Sequence, residues 1–368
     1  MANNRASNRA RTQPSPLDLP VAPVAESHPK RSQRAQRPTE THPHFGLRND
    51  ALVELWYRML LARKVGERWF IINRQGRAPF AITGNGQEAT QVGTAAALIP
   101  GKDWVVPYYR DIGVVLALGM TVEDLMLALF AKATDPSSGG RQMPSHWSHR
   151  DLKIVSGSSP VATQVPIAAG IAWACKLRGE DAVVVTYLGE GSTNQGDFHE
   201  GLNFAAVMRA PLIVVVENNG YAITEVQAKE MTIQDVADRA ASYGIKGIVV
   251  DGNDVLEVYR TMQWAVQEAR SGNGPALIEA KTYRLVPHST DDDDRRYRTR
   301  EELEQWTKRD PIDRFRKHLL DEGILTDEHA QQLLQEADAE VRAAEARAES
   351  APDPDPSTLL DHLFGEAP

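Results

Sequence analysis

Cysteine is almost absent from the 368-residue chain, which contains only Cys175. A single cysteine can form neither an intrachain disulfide nor a cysteine-rich zinc site, and such scarcity is typical of proteins in reducing compartments. The sequence also has no run of about 18 apolar residues, so it predicts no membrane-spanning helix. The N-terminal region lacks the apolar core of a secretory signal, and we expect none.

An excess of positive charge is lacking as well. The chain has 50 acidic residues against 41 lysines and arginines, which gives a net charge of -9. Proteins that bind nucleic acid generally do so through basic patches, so the composition argues against nucleic acid as a partner. We therefore expect neither nucleic-acid nor membrane partners, and the chemistry must be sought in the motifs.

The first 45 residues are rich in Arg, Pro, Ser and Asn and have almost no aromatic residues. Such a segment cannot bury enough apolar surface to offset its ordering entropy, and it is predicted to be a disordered tail. Its Arg-rich, acid-poor composition also resembles an organelle transit peptide, although four prolines between residues 14 and 23 would break an amphipathic helix. We expect a bacterial cytoplasmic protein, with the mitochondrial matrix as the alternative.

Apolar runs at 182–188 and 212–216 and strand-like segments at 248–250 and 276–280 alternate with helical patterns in the central part of the chain. Continuous apolar runs are typical of strands buried on both faces, and strands that alternate with helices predict a parallel sheet covered by helices on both faces. The predicted fold is therefore α/β, with extra helices at both ends. The expected division is a disordered tail at 1–45, one α/β domain at 46–347, and a frayed end at 348–368.

Polar and glycine residues follow two of these predicted strands. Gly189, Glu190 and Gly191 end the first strand, and Asn218 and Asn219 end the next. Ligands of open parallel sheets bind beyond the carboxyl ends of the strands, so the carboxylate and the amides should lie close together. Oxygen ligands of this kind suit Mg²⁺, which keeps positions for diphosphate oxygens and water. The alternative is that both segments are only tight turns.

His288 lies on the loop that follows the last central strand. An imidazole titrates near neutrality, so it can donate to a phosphate and assist at a reacting centre. A solvated loop histidine is the alternative. The acidic run 291–294 that follows is expected to be a solvated loop rather than a set of metal ligands.

Several blocks of the chain, spanning roughly residues 52–347, resemble the alpha subunits of thiamine-diphosphate-dependent 2-oxoacid dehydrogenases. The blocks are TGNGQEA (83–89), VPYYRDIG (106–113), GRQMPSH (140–146), SSPVATQ (158–164), the stretch from GEGSTNQG to ENNGYAI (189–223), and YRLVPHSTDDDD (283–294). The resemblance implies the thiamine-diphosphate-binding fold and this cofactor together with Mg²⁺. The HSTDDDD block and Glu190 resemble the branched-chain (2-oxoisovalerate) members, which favours the 3-methyl-2-oxobutanoate dehydrogenase type.

The resemblance also assigns roles to individual residues. His288 matches the family's active-site histidine, and Mg²⁺ would be held by Glu190, Asn219 and the backbone oxygen of Tyr221. The implied cofactor-binding residues are Tyr109, Arg110, Ser159, Val161, Gly189, Glu190, Gly191, Ser192, Asn219, Tyr221, Ala222 and His288. The implied substrate residues are Phe80, Tyr109, Met143, Pro144, Ser145, His146 and Ser159. A loop that holds K⁺ in some relatives is matched by Ser158, Pro160, Thr163 and Gln164. Glu217 is a departure, because some relatives have a phosphate-binding arginine there.

Partners follow from what the chain lacks. The family's cofactor chemistry needs a glutamate that protonates the aminopyrimidine ring, and this residue belongs to a beta subunit with a second, similar domain. Only one such α/β domain is predicted here, so the resemblance implies a heterotetramer of two alpha and two beta subunits. It also implies a small 2-oxoacid substrate and a lipoyl-bearing dihydrolipoyl acyltransferase core.

Three alternatives remain beside this interpretation. A pyruvate or acetoin dehydrogenase alpha subunit differs only in the acyl group, which a pocket discriminates by about 1–3 kcal/mol per methylene. A non-catalytic alpha-like subunit would lack Glu190, Asn219 or His288, and all three are present. A self-sufficient transketolase-like enzyme would need a second α/β domain.

Overall fold

The computed structural model describes residues 44–361 and residue 363. The predicted disordered tail therefore lies outside the described residues, apart from its last two positions. The helices are α1 (Asn49–Arg74), α2 (Glu88–Ala95), α3 (Ile112–Ala117), α4 (Val122–Leu129), α5 (Gln164–Arg178), α6 (Gly196–Met208), α7 (Gln227–Glu230), α8 (Val255–Arg270), α9 (Arg300–Thr307), α10 (Pro311–Asp321) and α11 (Asp327–Ser350). The strands are β1 (Trp104–Val106), β2 (Val184–Gly189), β3 (Leu212–Asn218), β4 (Tyr221–Ala222), β5 (Glu225–Val226), β6 (Lys246–Asp251) and β7 (Ala276–Lys281). No helix within 44–361 is long and apolar enough to cross a bilayer.

The central sheet has the strand order β1-β2-β3-β7-β6, and every neighbouring pair is parallel. This confirms the predicted parallel sheet. Strands β4 and β5 form a small antiparallel hairpin apart from it. The apolar runs of the sequence become the central strands β2, β3 and β7, which are buried along nearly their whole length.

Successive side chains of each strand point into two different cores. Val185 and Tyr187 of β2 belong to the core formed with α1, α2, α4, α8 and α11, whereas Val184 and Leu188 belong to the core formed with α5 and α6. All four side chains are fully buried. Burial of an aliphatic side chain of this size stabilises the fold by roughly 1.5–3 kcal/mol. The helices therefore cover both faces of the sheet, as the continuous apolar runs predicted.

The register of β2 against β3 aligns the two polar strand ends. Gly189 pairs with Glu217, so Glu190 and Asn219 leave the sheet side by side at its carboxyl edge. The backbone N–H of Asn219 donates to Glu190 Oε2 at 3.1 Å. The predicted juxtaposition of the carboxylate and the amide is thus confirmed.

Two helix starts agree with the sequence, and one differs. Thr121 and Asp124 form a reciprocal capping box at α4, and the Asp254 side chain accepts from two backbone N–H groups at the start of α8. The spacing of Thr232 and Asp235 predicts a helix from Thr232 with a capping box, but this prediction is wrong in start and type, because a 3-10 helix begins at residue 236. Asp235 stands at the N-cap position of that helix without a side-chain capping bond, and its carboxylate lies 3.4 Å from the Lys281 ammonium.

The end of the chain differs from the predicted fraying at Ala348. Helix α11 continues to Ser350, and Ala348 is fully buried in the core. Beyond it, the carbonyl of Pro352 accepts from the backbone N–H of Ala133, and Arg141 donates to the carbonyl of Thr358. Long-range contacts of this kind are not visible in local composition, which is why the Pro- and Asp-rich segment suggested an unpaired end.

A pair of buried carboxyl groups lies under the carboxyl edge of the sheet. Glu217 accepts hydrogen bonds from Gln91 Nε2 at 3.2 Å and from the Tyr108 hydroxyl at 3.0 Å, and Asp111 accepts from the Tyr108 backbone N–H at 2.8 Å. Glu217 Oε1 and Asp111 Oδ1 are buried and accept no hydrogen bond, and the negative charge of Glu217 adds to burial in raising the pKa of Asp111. Burial raises the pKa of Glu217 to about 7, and burial also raises that of Asp111. The pair therefore shares a proton near neutral pH.

We predict that Glu217→Gln makes stability less dependent on pH. The folded chain binds this proton more tightly than the unfolded chain, so the group's stabilisation is fully present below about pH 4.5 and is lost as the pH rises toward 7. Glutamine supplies the missing donor without titrating. Between pH 5 and 7.5 the variant should lose less stability than the unmodified chain, by on the order of 2 kcal/mol.

The measurement is urea-induced unfolding of the purified chain across this pH range. Glu304→Gln, at an exposed carboxylate, is the matched control and should keep the original slope. An unchanged pH slope in Glu217→Gln would show that no proton is shared at this pair.

Candidate active site

A cavity of about 590 Å³ opens at the carboxyl edge of the sheet, beyond β2 and β3. It brings together every residue that the resemblance assigned to the cofactor and most of those assigned to the substrate. The predicted residues that line it are Phe80, Tyr109, Arg110, Met143, Pro144, His146, Ser159, Val161, Gly189, Glu190, Gly191, Ser192, Asn219, Tyr221, Ala222 and His288. Further lining residues, which the sequence interpretation missed, are Ile82, Tyr108, Gln195, Ile223 and Glu230.

Ser145 and the predicted potassium loop lie apart from this lining. Ser145 is buried with a left-handed backbone (φ 71°), and its hydroxyl donates to the carbonyl of Ile82 at 3.4 Å. The loop is closed by Thr163, whose hydroxyl donates to the Pro160 carbonyl at 3.0 Å, and by Gln164, which donates to the carbonyl of residue 187 at 2.8 Å. Ser158 and Pro160 line a neighbouring surface depression.

Glu190 makes one part of the cavity acidic. Glu190 is 1% exposed, and its Oε1 atom is buried without any hydrogen-bond partner. Burial raises the pKa of Glu190 to about 7. The Asn219 side-chain N–H donates to Gln87 Oε1 at 3.3 Å, and its oxygen accepts from the backbone N–H of Tyr221 at 3.3 Å, so both bonds fix its orientation. A carboxylate oxygen without a partner, next to amide and carbonyl oxygens, is the donor set that a hard divalent cation requires.

Two buried guanidinium groups lie at this cavity: Arg110 lines it, whereas Arg284 is outside the lining and contacts the lining residue His288. Arg110 is 2% exposed and donates to the carbonyl of Thr83 at 2.9 Å, while Arg284 is fully buried and donates to the carbonyl of Ile223 at 2.7 Å. Among residues 44–361, neither arginine forms an ion pair with a carboxylate. Because an uncompensated buried charge is costly, this arrangement favours an anionic ligand.

His288 is held between these arginines. Its Nδ1 accepts from Arg110 Nη2 at 2.8 Å, and Arg284 Nη1 lies 3.5 Å from the same nitrogen. Burial, followed by the two positive charges, lowers the pKa of His288 to about 3. The imidazole is therefore neutral with its proton on Nε2, which is free to donate into the cavity.

The acidic run after His288 is only partly the solvated loop that the sequence suggested. The Asp292 carboxylate accepts from the backbone N–H of His288 at 2.7 Å and from the Tyr297 hydroxyl at 2.5 Å. Asp294 pairs with Arg298, which is itself buried. These bonds hold the histidine loop against the rest of the chain. The sequence did not indicate which of the four consecutive aspartates would form them.

The remaining wall is apolar and contains a second histidine. Phe80, Ile82 and Ile223 line this wall together with Met143. His146 lies beside them: its Nδ1 is 3.1 Å from the carbonyl of Met143, so this nitrogen carries the proton. Its Nε2 then accepts from the Ser159 hydroxyl at 2.7 Å.

Close approach of two backbone segments requires glycine at position 191. A Cβ atom there would lie 2.4 Å from the Cβ of Ala222, so no larger residue fits without moving the β4 hairpin.

Glu217 does not line the cavity, because its carboxyl group points into the interior and bonds to Tyr108 and Gln91. The structure thus has no counterpart of the phosphate-binding arginine found there in some relatives.

Comparison with known proteins gives one consistent family. Residues 57–357 match the family described as "Dehydrogenase E1 component". The 2-oxoisovalerate dehydrogenase subunit alpha of Bacillus subtilis is 50% identical over 328 residues, which cover 89% of this chain and 99% of the relative. Its mitochondrial counterpart from Homo sapiens is 38% identical over 89% of this chain and 73% of the relative. The pyruvate dehydrogenase E1 component subunit alpha of Staphylococcus epidermidis is 37% identical over 88% and 84%. The chain belongs to the dehydrogenase E1 component family.

Proposed function

We propose that this chain forms part of the active site of a branched-chain 2-oxoacid dehydrogenase. The complete enzyme decarboxylates a substrate such as 2-oxoisovalerate and transfers the acyl group to a lipoyl disulfide, which is reduced to the acylated dihydrolipoyl form as CO₂ leaves. The observation that carries the proposal is one cavity lined both by Arg110, a buried arginine without a carboxylate partner, and by Glu190, a buried carboxylate with an oxygen that accepts no hydrogen bond. The names of the Bacillus subtilis and Homo sapiens relatives support the branched-chain substrate.

Membership of the family implies dependence on thiamine diphosphate, and the residues present fit a diphosphate bound through Mg²⁺. Glu190 Oε1, the Asn219 amide oxygen and the backbone oxygen of Tyr221 would hold the metal. Arg110 and the Nε2–H of His288 would donate to the diphosphate, and both hydrogen bonds would be charge-assisted because the acceptor oxygens are anionic. Each metal ligand in this assignment belongs to a strand end or to the hairpin that follows β3, so the sheet itself sets their spacing.

The other cofactor and ion contacts are part of the same proposal. Ser159 and Val161 would line the aminopyrimidine side, and Tyr109 would contact both cofactor and substrate. The turn at the start of α5 offers hydroxyl and carbonyl oxygens, which suits a structural K⁺ held by Ser158, Pro160, Thr163 and Gln164.

Thiamine diphosphate, when bound, supplies the nucleophilic carbon and the electron sink that decarboxylation requires. His288 would hold a proton on Nε2 close to the reacting centre, because the two arginines keep Nδ1 an acceptor. Phe80, Ile82 and Met143 would enclose the branched acyl chain and exclude water. His146 would orient Ser159 through the hydrogen bond that joins them.

Alpha subunits of this family work with a beta subunit and an acyltransferase core. We propose a heterotetramer with two alpha and two beta subunits, in which the beta subunit supplies the glutamate that protonates the aminopyrimidine. Within residues 44–361 there is one parallel sheet, which agrees with half of a composite active site. The identity to a Bacillus subtilis protein supports a bacterial cytoplasmic location.

We predict that the chain alone does not turn over 2-oxoacids and that co-expression with its beta subunit restores turnover. The assay follows reduction of an artificial electron acceptor with 2-oxoisovalerate, pyruvate or acetoin. The kcat/KM for 2-oxoisovalerate should exceed that for pyruvate by more than roughly tenfold, since its two extra methyl groups would pack against the apolar wall. Turnover by the chain alone would contradict the composite site, and a preference for pyruvate or acetoin would contradict the substrate assignment.

We further predict that Asn219→Ala abolishes Mg²⁺-dependent cofactor binding without unfolding the chain, because the side chain lies at a strand end rather than in either core. Loss of a metal ligand should weaken thiamine diphosphate binding by at least roughly 100-fold. Isothermal titration calorimetry of the alpha–beta complex measures this, and Asn273→Ala, at an exposed turn, is the control. If the variant binds the cofactor within a few-fold of the affinity of the unmodified complex, Asn219 is not a metal ligand.

A further inference from the structure

Glu230 is an acidic residue of the cavity to which neither the motifs nor the family comparison gives a role. It ends α7, the short helix that follows the β4–β5 hairpin. Its Oε2 atom is buried and has no hydrogen-bond partner. A Cβ atom placed on Gly191 would lie 3.0 Å from Oε2 and 3.3 Å from Oε1, so the carboxylate lies directly against the glycine loop that follows β2.

Two carboxylates thus face one cavity, and each has an oxygen without a donor. The second is Glu190, which is 1% exposed and whose Oε1 atom lacks a partner. Both residues line this cavity, so their negative charges lie at the same site. Like charges in a low-dielectric site repel unless a cation lies between them, so this pair favours a bound cation.

Positive side chains nearby do not supply that charge. Lys229, beside Glu230 on α7, pairs with Glu225 at 3.0 Å on the exposed side of the hairpin. The Arg284 guanidinium donates to the carbonyl of Ile223 and to the Tyr297 hydroxyl, and it lies 3.5 Å from the Tyr221 carbonyl, but it forms no ion pair with either carboxylate. Among the ion pairs of residues 44–361, none includes Glu190 or Glu230.

We propose that Glu230 is an outer-sphere carboxylate of the metal–diphosphate site, which holds the divalent cation through a metal-bound water. The inference rests on the proposed function. Magnesium sites in proteins usually keep several waters, and a carboxylate that accepts from such a water stabilises the cation without entering its first coordination shell. Glu230 lies against Gly191, on the β2 side of the cavity, whereas Asn219 and Tyr221 approach from the end of β3. The cation would therefore be anchored by acids from two separate elements, the loop after β2 and helix α7.

The arrangement makes Glu230 a positioning residue. The β4–β5 hairpin directly before α7 carries the backbone oxygen of Tyr221. A cation held by Glu230 and Tyr221 together would therefore fix this hairpin over the glycine loop. The consequence is that removal of the Glu230 charge should weaken the metal more than it weakens the chain's fold, since this side chain bonds to no other residue through Oε2.

The test is a titration of Mn²⁺ into the alpha–beta complex with thiamine diphosphate present, in which the free-ion electron paramagnetic resonance signal reports metal binding independently of activity. Glu230→Gln, which keeps the shape and removes the charge, should weaken Mn²⁺ binding by roughly tenfold or more. Glu230→Asp, which keeps the charge, should bind Mn²⁺ more tightly than Glu230→Gln. Glu225→Gln removes an exposed carboxylate of the same hairpin and should bind Mn²⁺ like the unmodified complex.

Equal or tighter Mn²⁺ binding by Glu230→Gln, with the unmodified complex binding normally, would overturn this inference and leave the proposed function intact. Tighter binding would mean that Glu230 repels the diphosphate instead of holding the cation. Absence of cofactor-dependent Mn²⁺ binding in the unmodified complex would contradict the proposed function itself, and the role of Glu230 with it.

Discussion

Charges of both signs surround the cavity at the carboxyl edge of the sheet and do not pair with each other. Arg110 lines this cavity and is buried, and Glu190 is buried in the same lining with an oxygen that accepts no hydrogen bond. Each isolated buried ion costs several kcal/mol after relaxation. An anion bound through a cation would compensate both charges at once.

The parallel sheet makes this concentration of charge possible. Strands β2 and β3 are buried on both faces, and the register brings their ends together, so that Glu190 and Asn219 meet just beyond them. The same charges set the state of His288, whose Nδ1 must accept from Arg110 and whose Nε2 must therefore carry the proton. One electrostatic arrangement thus determines both the ligand that fits the cavity and the tautomer of the histidine that faces it.

Much of this arrangement was predictable from the sequence, because it depends on strand periodicity and strand ends. The parallel sheet and the contact between Glu190 and Asn219 follow from apolar runs that alternate with helices. Other features depend on long-range packing, which local patterns do not show. Gln87 orients Asn219 across more than a hundred residues of chain, Glu230 reaches Gly191 through a hairpin, and the C-terminal segment packs on the loop around Ala133. Ser145 was placed on the substrate side, but its left-handed backbone turns the hydroxyl toward a main-chain carbonyl.

The central claim is that the charged residues of the cavity bind a diphosphate through a divalent cation. The most direct measurement compares calorimetric titrations of thiamine diphosphate and of thiamine into the alpha–beta complex, each with and without Mg²⁺. Binding of the diphosphate should require Mg²⁺, and thiamine should bind at least roughly 100-fold more weakly, because it leaves Arg110 and Glu190 uncompensated. Equal affinities for the two compounds, or diphosphate binding that does not depend on Mg²⁺, would contradict the account.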